Sequence, residues 1–205
     1  MKLINRDILI KLLDKYNINV TIDKIEKRYS ESHRFYHTIE HINFLLTEID
    51  KLTLPEKDNE ILILSALFHD IIYIPGSKTN EKDSAELLLN NSEYSDDIQE
   101  IYDIIIDTFT HTPKTELSEI FCDIDMMSIS HTTYDELKVG TDNVYKEFVQ
   151  FFPHKQVIEG QVDFLKSILD TKYGKKNKKN ILRLIKEISN DRGLLKSYES
   201  FILKI

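Results

Sequence analysis

The chain has 205 residues, with 27 Lys and Arg against 35 Asp and Glu, a formal charge of −8. That length fits one domain over 1–205, or one domain with a helical extension, and it can bury a core without disulfides. The acidic balance argues against duplex nucleic acid, whose binding is driven by phosphate neutralisation, and no run approaches the roughly 18 to 20 apolar residues of a membrane span.

Only 5 glycines and 4 prolines punctuate the chain, which favours helices over a many-stranded sheet. Segment 3–16 has apolar residues at Leu3, Ile4, Ile8, Leu12 and Leu13, a helical spacing. Its charges at Arg6, Asp7 and Lys11 make it an amphipathic helix rather than a signal peptide. A short helix follows at 22–29, and a longer one over 33–50 through Phe35, Ile39, Ile42, Leu45, Leu46 and Ile49.

After Leu54-Pro55, residues 60–74 are apolar on nearly every side, which predicts a helix in the middle of the fold; its length also suits a buried strand. Pro75-Gly76 stops it, and Asn80 suits the N-cap of a helix over 81–90. Helices over 96–110 and 116–128 follow, separated by Thr112-Pro113. Thr133 and Glu136 have capping-box spacing for a helix near 134–151. Pro153 breaks it, and 156–170, 178–190 and 194–204 complete the helical set. The lysine-rich stretch 172–180 reads as a solvated loop, with a lid or substrate-phosphate role as the alternative. Cys122 has no partner for an internal disulfide, which suits a reducing, cytoplasmic setting.

Three groups of residues carry chemistry. His69-Asp70 interrupts the apolar run 61–74, and a buried carboxylate must be compensated. A divalent cation would do so by taking the imidazole nitrogen and the carboxylate oxygen together. A His–Asp hydrogen bond, or a salt bridge to Arg34, would also serve. His37 and His41 are four residues apart, one face of a helix, so both can meet one site as two ligands or as a ligand and a proton carrier. In Cys122-Asp123-Ile124-Asp125 the aspartates differ by about 200° around a helix, so one faces inward, and the pattern does not say which.

In this order, His41, His69-Asp70 and Asp125 resemble the HD superfamily of metal-dependent phosphohydrolases. The likeness extends to a bacterial group of predicted HD phosphohydrolases through Arg34-Phe35-Tyr36-His37 to His41, Phe68-His69-Asp70 with Tyr73, Asn80-Glu81 with Ser84-Ala85, and Asp123-Ile124-Asp125. It covers about 28–128 well and the last third loosely. It implies an all-α, HD-domain helical bundle with additional C-terminal helices over about 134–205.

The Tyr-His-x-x-x-His element is also similar to the cyclic-nucleotide phosphodiesterases. That similarity implies His41 as a metal ligand, His37 as general acid, and Asp125 rather than Asp123 as the distal ligand. The resemblance therefore implies a divalent ion (Mn, Mg, Co, Ni, Fe or Zn) on His41, His69, Asp70 and Asp125, with room for a weaker second ion beside Asp70. His37, Asp70 and Glu81 are then the catalytic set, and Arg34, Tyr73, Asn80 and His111 face a small phosphorylated substrate, a nucleotide by expectation. His111 is read either as a pocket residue or as a histidine favoured by a helix C-terminus.

His33, His131 and His154 match no motif and read as surface or structural groups. Two departures accompany the likeness: Tyr145 and Gln161 stand where the close group often carries arginine, and no further histidine precedes Asp125 for a fully His-ligated second metal. Two other readings share this pocket, a non-catalytic nucleotide-binding module and an HD-fold di-iron oxygenase.

Overall fold

The computed structural model describes residues 1–190, and the helix expected over 194–204 lies outside them. Among the described residues there are twelve helices and no strand. None of these helices is long and apolar enough to cross a membrane. The chain divides after Asp125 into two compact units.

The first unit holds α1 (Arg6–Lys15), α2 (Ile22–Arg28), α3 (Ile39–Asp50), α4 (Glu56–Phe68), α5 (Asn80–Asn90), α6 (Asp96–Asp107) and α7 (Glu116–Asp125). Local chemistry starts several of these helices. The hydroxyls of Thr21, Thr38 and Ser95 accept the N–H of Lys24, Glu40 and Ile98, satisfying donors that a first turn leaves open. At the centre is α4, against which α3, α5, α6 and α7 all pack. Its residues Ile61, Leu62, Leu64, Ser65, Ala66, Leu67 and Phe68 are all buried, as the continuous apolar run predicts.

Two expected helices are shorter at the ends that matter. The helix read over 33–50 begins at Ile39, because Thr38 is extended and caps it. His37 therefore precedes the helix, and its approach to His41 is not an i,i+4 relation. The helix read over 60–74 starts earlier, at Glu56, and ends at Phe68, with His69 as its C-cap. Beyond it, side chains replace helical hydrogen bonds: Ser84 takes the backbone of Ile72 and Asn80 that of Ile74. Pro75 further disfavours helix in the residue before it. Likewise α6 stops at Asp107 and α7 at Asp125, short of the expected 110 and 128.

The second unit contains α8 (Met127–Ser130), α9 (Tyr134–Phe148), α10 (His154–Ile168), α11 (Lys172–Lys176) and α12 (Lys178–Asn190). The predicted capping box of Thr133 and Glu136 opens α9. Leu137, Val162, Leu165, Ile168, Ile181, Leu184 and Ile188 form a core from α9, α10 and α12. The lysine-rich stretch is not a loop: Thr171 caps α11, and Tyr173 and Gly174 are buried. A Cβ on Gly174 would stand 2.0 Å from the Ile168 carbonyl oxygen, so this close approach requires glycine.

Candidate metal centre

Three helix ends converge in the first unit. His41 stands in the first turn of α3, His69 caps α4, and Asp125 is the last residue of α7. One ligand atom from each lies within 4.8 Å of the others. His41 Nε2 is 3.2 Å and His69 Nε2 is 3.8 Å from Asp125 Oδ1. The imidazoles meet edge to face, with ring centroids 5.4 Å apart.

One ring nitrogen of His69 is committed to the backbone. Its Nδ1–H donates to the Ala66 carbonyl at 3.1 Å, which aims Nε2 at the cluster. The residue is only 2% exposed. Nε2 lies 3.0 Å from Asp70 Oδ2, yet no partner has hydrogen-bond alignment with it. A buried nitrogen without a hydrogen bond, ringed by carboxylate oxygens, fits a cation in the space between them. The mixed imidazole and carboxylate donors suit a divalent first-row metal.

Electrostatics point the same way. Burial alone disfavours an imidazolium at His69, but the charges of Asp70 and Asp125 outweigh it and push the pKa up to about 9. Burial would raise the Asp125 carboxyl, yet hydrogen bonds from His111 and His41 hold it well below the usual range. Asp70 is lowered as well, its burial outweighed by His69 and His37. The cluster thus holds two carboxylate charges that need a positive partner, a proton or a metal ion.

Residues 34–129, a little under half the chain, match the family model described as HD domain. This stretch is an HD domain. No curated protein and no solved structure matches the chain.

Around the HD-domain cluster, Asp70 Oδ2 lies between His69 and His37, 4.0 Å from His37 Nε2. His37 stacks on Tyr73 with centroids 4.1 Å apart, and the Tyr73 carbonyl contacts His33 Nε2 at 2.9 Å. Glu81, in the first turn of α5, is half-buried. Its carboxyl is pushed up by burial and by the charge of Asp70, against the pull of a helix N–H, His69 and His111. His111 Nε2 is 2.9 Å from Asp125 Oδ2. It stands beside the cluster, four residues past the end of α6, with a positive φ of 49°. Asp70, expected as a fourth ligand, and Asp123 both lie outside the three-residue cluster.

Two residues expected to face substrate do other work. The Arg34 side chain is 0% exposed. Its Nη1 donates to the carbonyls of Asp70 at 2.8 Å and His37 at 3.2 Å, its Nη2 to Ile71 at 3.1 Å, and its Nε to Glu31 at 3.2 Å. A guanidinium so committed fastens backbone; it does not grip phosphate. Asn80 is buried and neither caps α5 nor reaches a pocket, because its amide pairs both ways with the Ile74 backbone at 3.0 and 3.1 Å. Ser84, one turn along α5, pairs in the same way with Ile72 at 3.1 and 3.2 Å. The Asn-Glu-x-x-Ser-Ala motif is thus a clip on the 70–74 segment.

His154 contacts the Tyr145 hydroxyl at 2.6 Å in the second unit, where Gln161 donates to the Thr141 carbonyl. Asp107 escaped the sequence reading, although a carboxylate at apolar spacing after Ile101 and Ile104 was its visible signal.

Proposed function

We propose that the protein is a metal-dependent phosphohydrolase acting on a small phosphate ester, a nucleotide by preference. What supports the reading above all is the buried, unbonded Nε2 of His69 within reach of His41 and Asp125 in an HD domain. His41, His69 and Asp125, with Asp70 beside them, would hold a divalent cation. Bound there, the cation would lower the pKa of a water and polarise a phosphoryl oxygen.

The chain's own residues supply the rest. Glu81, whose carboxyl is raised by burial, orients the attacking water. His37 donates a proton to the leaving oxygen as the P–O bond breaks. Its ring is held by Tyr73, and its Nε2 faces the Asp70 carboxylate. Arg34 keeps the backbone of His37 and Asp70 in one frame, so donor and ligand stay in register.

The test is a phosphate-release screen. Metal-stripped protein is reloaded with Mn, Co, Ni, Zn or Mg and offered cyclic nucleotides, nucleoside phosphates and simple phosphate monoesters. Metal-dependent release that Asp70→Ala abolishes is expected. No release on any substrate, or equal release from Asp70→Ala, contradicts the reading.

A further inference from the structure

Asp107 ends α6 with 3% exposure, and a carboxylate so placed must be compensated. Three donors do this. Its Oδ2 accepts the Ser118 hydroxyl at 2.8 Å and the Lys114 backbone N–H at 3.0 Å, and its Oδ1 pairs with Lys114 Nζ at 2.9 Å. These bonds bring its pKa below the ordinary carboxylate value even though burial alone would raise it. Two features of the arrangement reach beyond stability.

The first is what the bonds enclose. Asp107 and Lys114 close the loop that contains His111, which lies in the left-handed region at φ 49°. A non-glycine residue is uncommon there, and bonds that close its loop help to hold it. The second is where Ser118 sits. It lies seven residues, two helical turns, before Asp125 on α7, so one face of α7 carries both. A single carboxylate therefore fixes the loop bearing His111 and the helix bearing Asp125.

These two meet at the metal cluster. The His111 Nε2–H donates to Asp125 Oδ2 at 2.9 Å, since a carboxylate can only accept. The other oxygen, Oδ1, faces His41 and His69. We propose that Asp107 is a positioning residue of this centre: acting through His111, it keeps Asp125 Oδ2 engaged and reserves Oδ1 for the cluster. The proposal rests on the reading that the cluster holds a divalent cation. Partners that orient a ligand in this way typically contribute about 10- to 100-fold in metal affinity.

The experiment titrates Co²⁺ into EDTA-stripped full-length protein by calorimetry, for wild type, Asp107→Asn, His111→Ala and the double variant. Each single change is expected to weaken Co²⁺ binding by roughly 10-fold. The double variant should bind no more weakly than His111→Ala, because the two act in series. Wild-type affinity in Asp107→Asn, or losses that multiply in the double variant, would overturn the proposal. Should Asp107→Asn not fold, Ser118→Ala removes one donor of three, and the same comparison with His111→Ala applies. Absence of stoichiometric Co²⁺ binding by wild type would overturn the cluster reading as well, whereas normal wild-type binding with an unaffected Asp107→Asn sinks this proposal alone.

Discussion

Replacing Arg34 with methionine separates a structural fastening from a phosphate grip. The wild-type guanidinium makes three hydrogen bonds to the carbonyls of His37, Asp70 and Ile71, and a fourth to Glu31. A hydrogen bond to a charged group contributes about 1.5–3 kcal/mol net, and a buried acceptor left open costs about 1–3 kcal/mol. The carbonyls are only partly covered except that of Ile71, so the sum lies near the low end, about 3–5 kcal/mol. At roughly 2–4 °C per kcal/mol for a chain of this size, the melting temperature should fall by about 10 °C. Methionine fills most of the volume between Tyr29 and Tyr73, which flank the guanidinium at 5.0 and 5.4 Å, so the loss reports hydrogen bonds rather than a cavity. The assay is thermal unfolding of metal-free protein with and without saturating Co²⁺. An unchanged melting temperature combined with a raised KM would refute the reasoning and restore Arg34 as a substrate contact.

Other consequences can be checked separately. Ser84→Ala leaves the Ile72 N–H and carbonyl without their partner and should cost about 1–3 kcal/mol in urea unfolding; an unchanged midpoint would mean the clip contributes nothing. Gly174→Ala drives a Cβ to 2.0 Å from the Ile168 carbonyl oxygen and should destabilise the protein by about 2–3 kcal/mol or more, read by the same method. In metal-free protein His69 is pushed up to about 9 from its ordinary 6.5. Its protonation therefore adds stability that is complete below pH 6.5 and lost as the pH rises through about 9. An incoming cation displaces that proton, so calorimetry at about pH 7.5 in buffers of different ionisation enthalpy should show about one proton released per ion bound. Metal binding with no proton release would contradict the charge state assigned to His69.

His41 and His69, which the structure brings together, were legible in the sequence because they break a pattern, whereas no local pattern separated Asp125 from Asp123. His69-Asp70 interrupts an apolar run, and His37 and His41 fall four apart. The helices were legible too, since their apolar spacing reports burial directly. Boundaries near the site were not. The apolar residues Ile71, Ile72 and Ile74 look like a continuation of α4, and nothing local reveals that Arg34, Ser84 and Asn80 take their backbone groups instead. The same limit misplaced Asn80, whose side chain suits an N-cap but is drawn to Ile74 by tertiary structure. His37 and His41 are neighbours, but not through helical spacing: their rings lie 6.3 Å apart although His37 precedes the helix. Asp107 was missed because a buried carboxylate looks like any other acidic residue until its donors, seven and eleven residues on, are brought to it.

Metal content decides most about the centre. Wild-type protein stripped with EDTA and reloaded with Co²⁺ should retain a tightly bound ion through desalting, and His69→Ala and Asp125→Ala should each lose it while remaining folded by circular dichroism. Retention of the ion by both variants, or its absence from wild type, would contradict the claim that His41, His69 and Asp125 form a metal site.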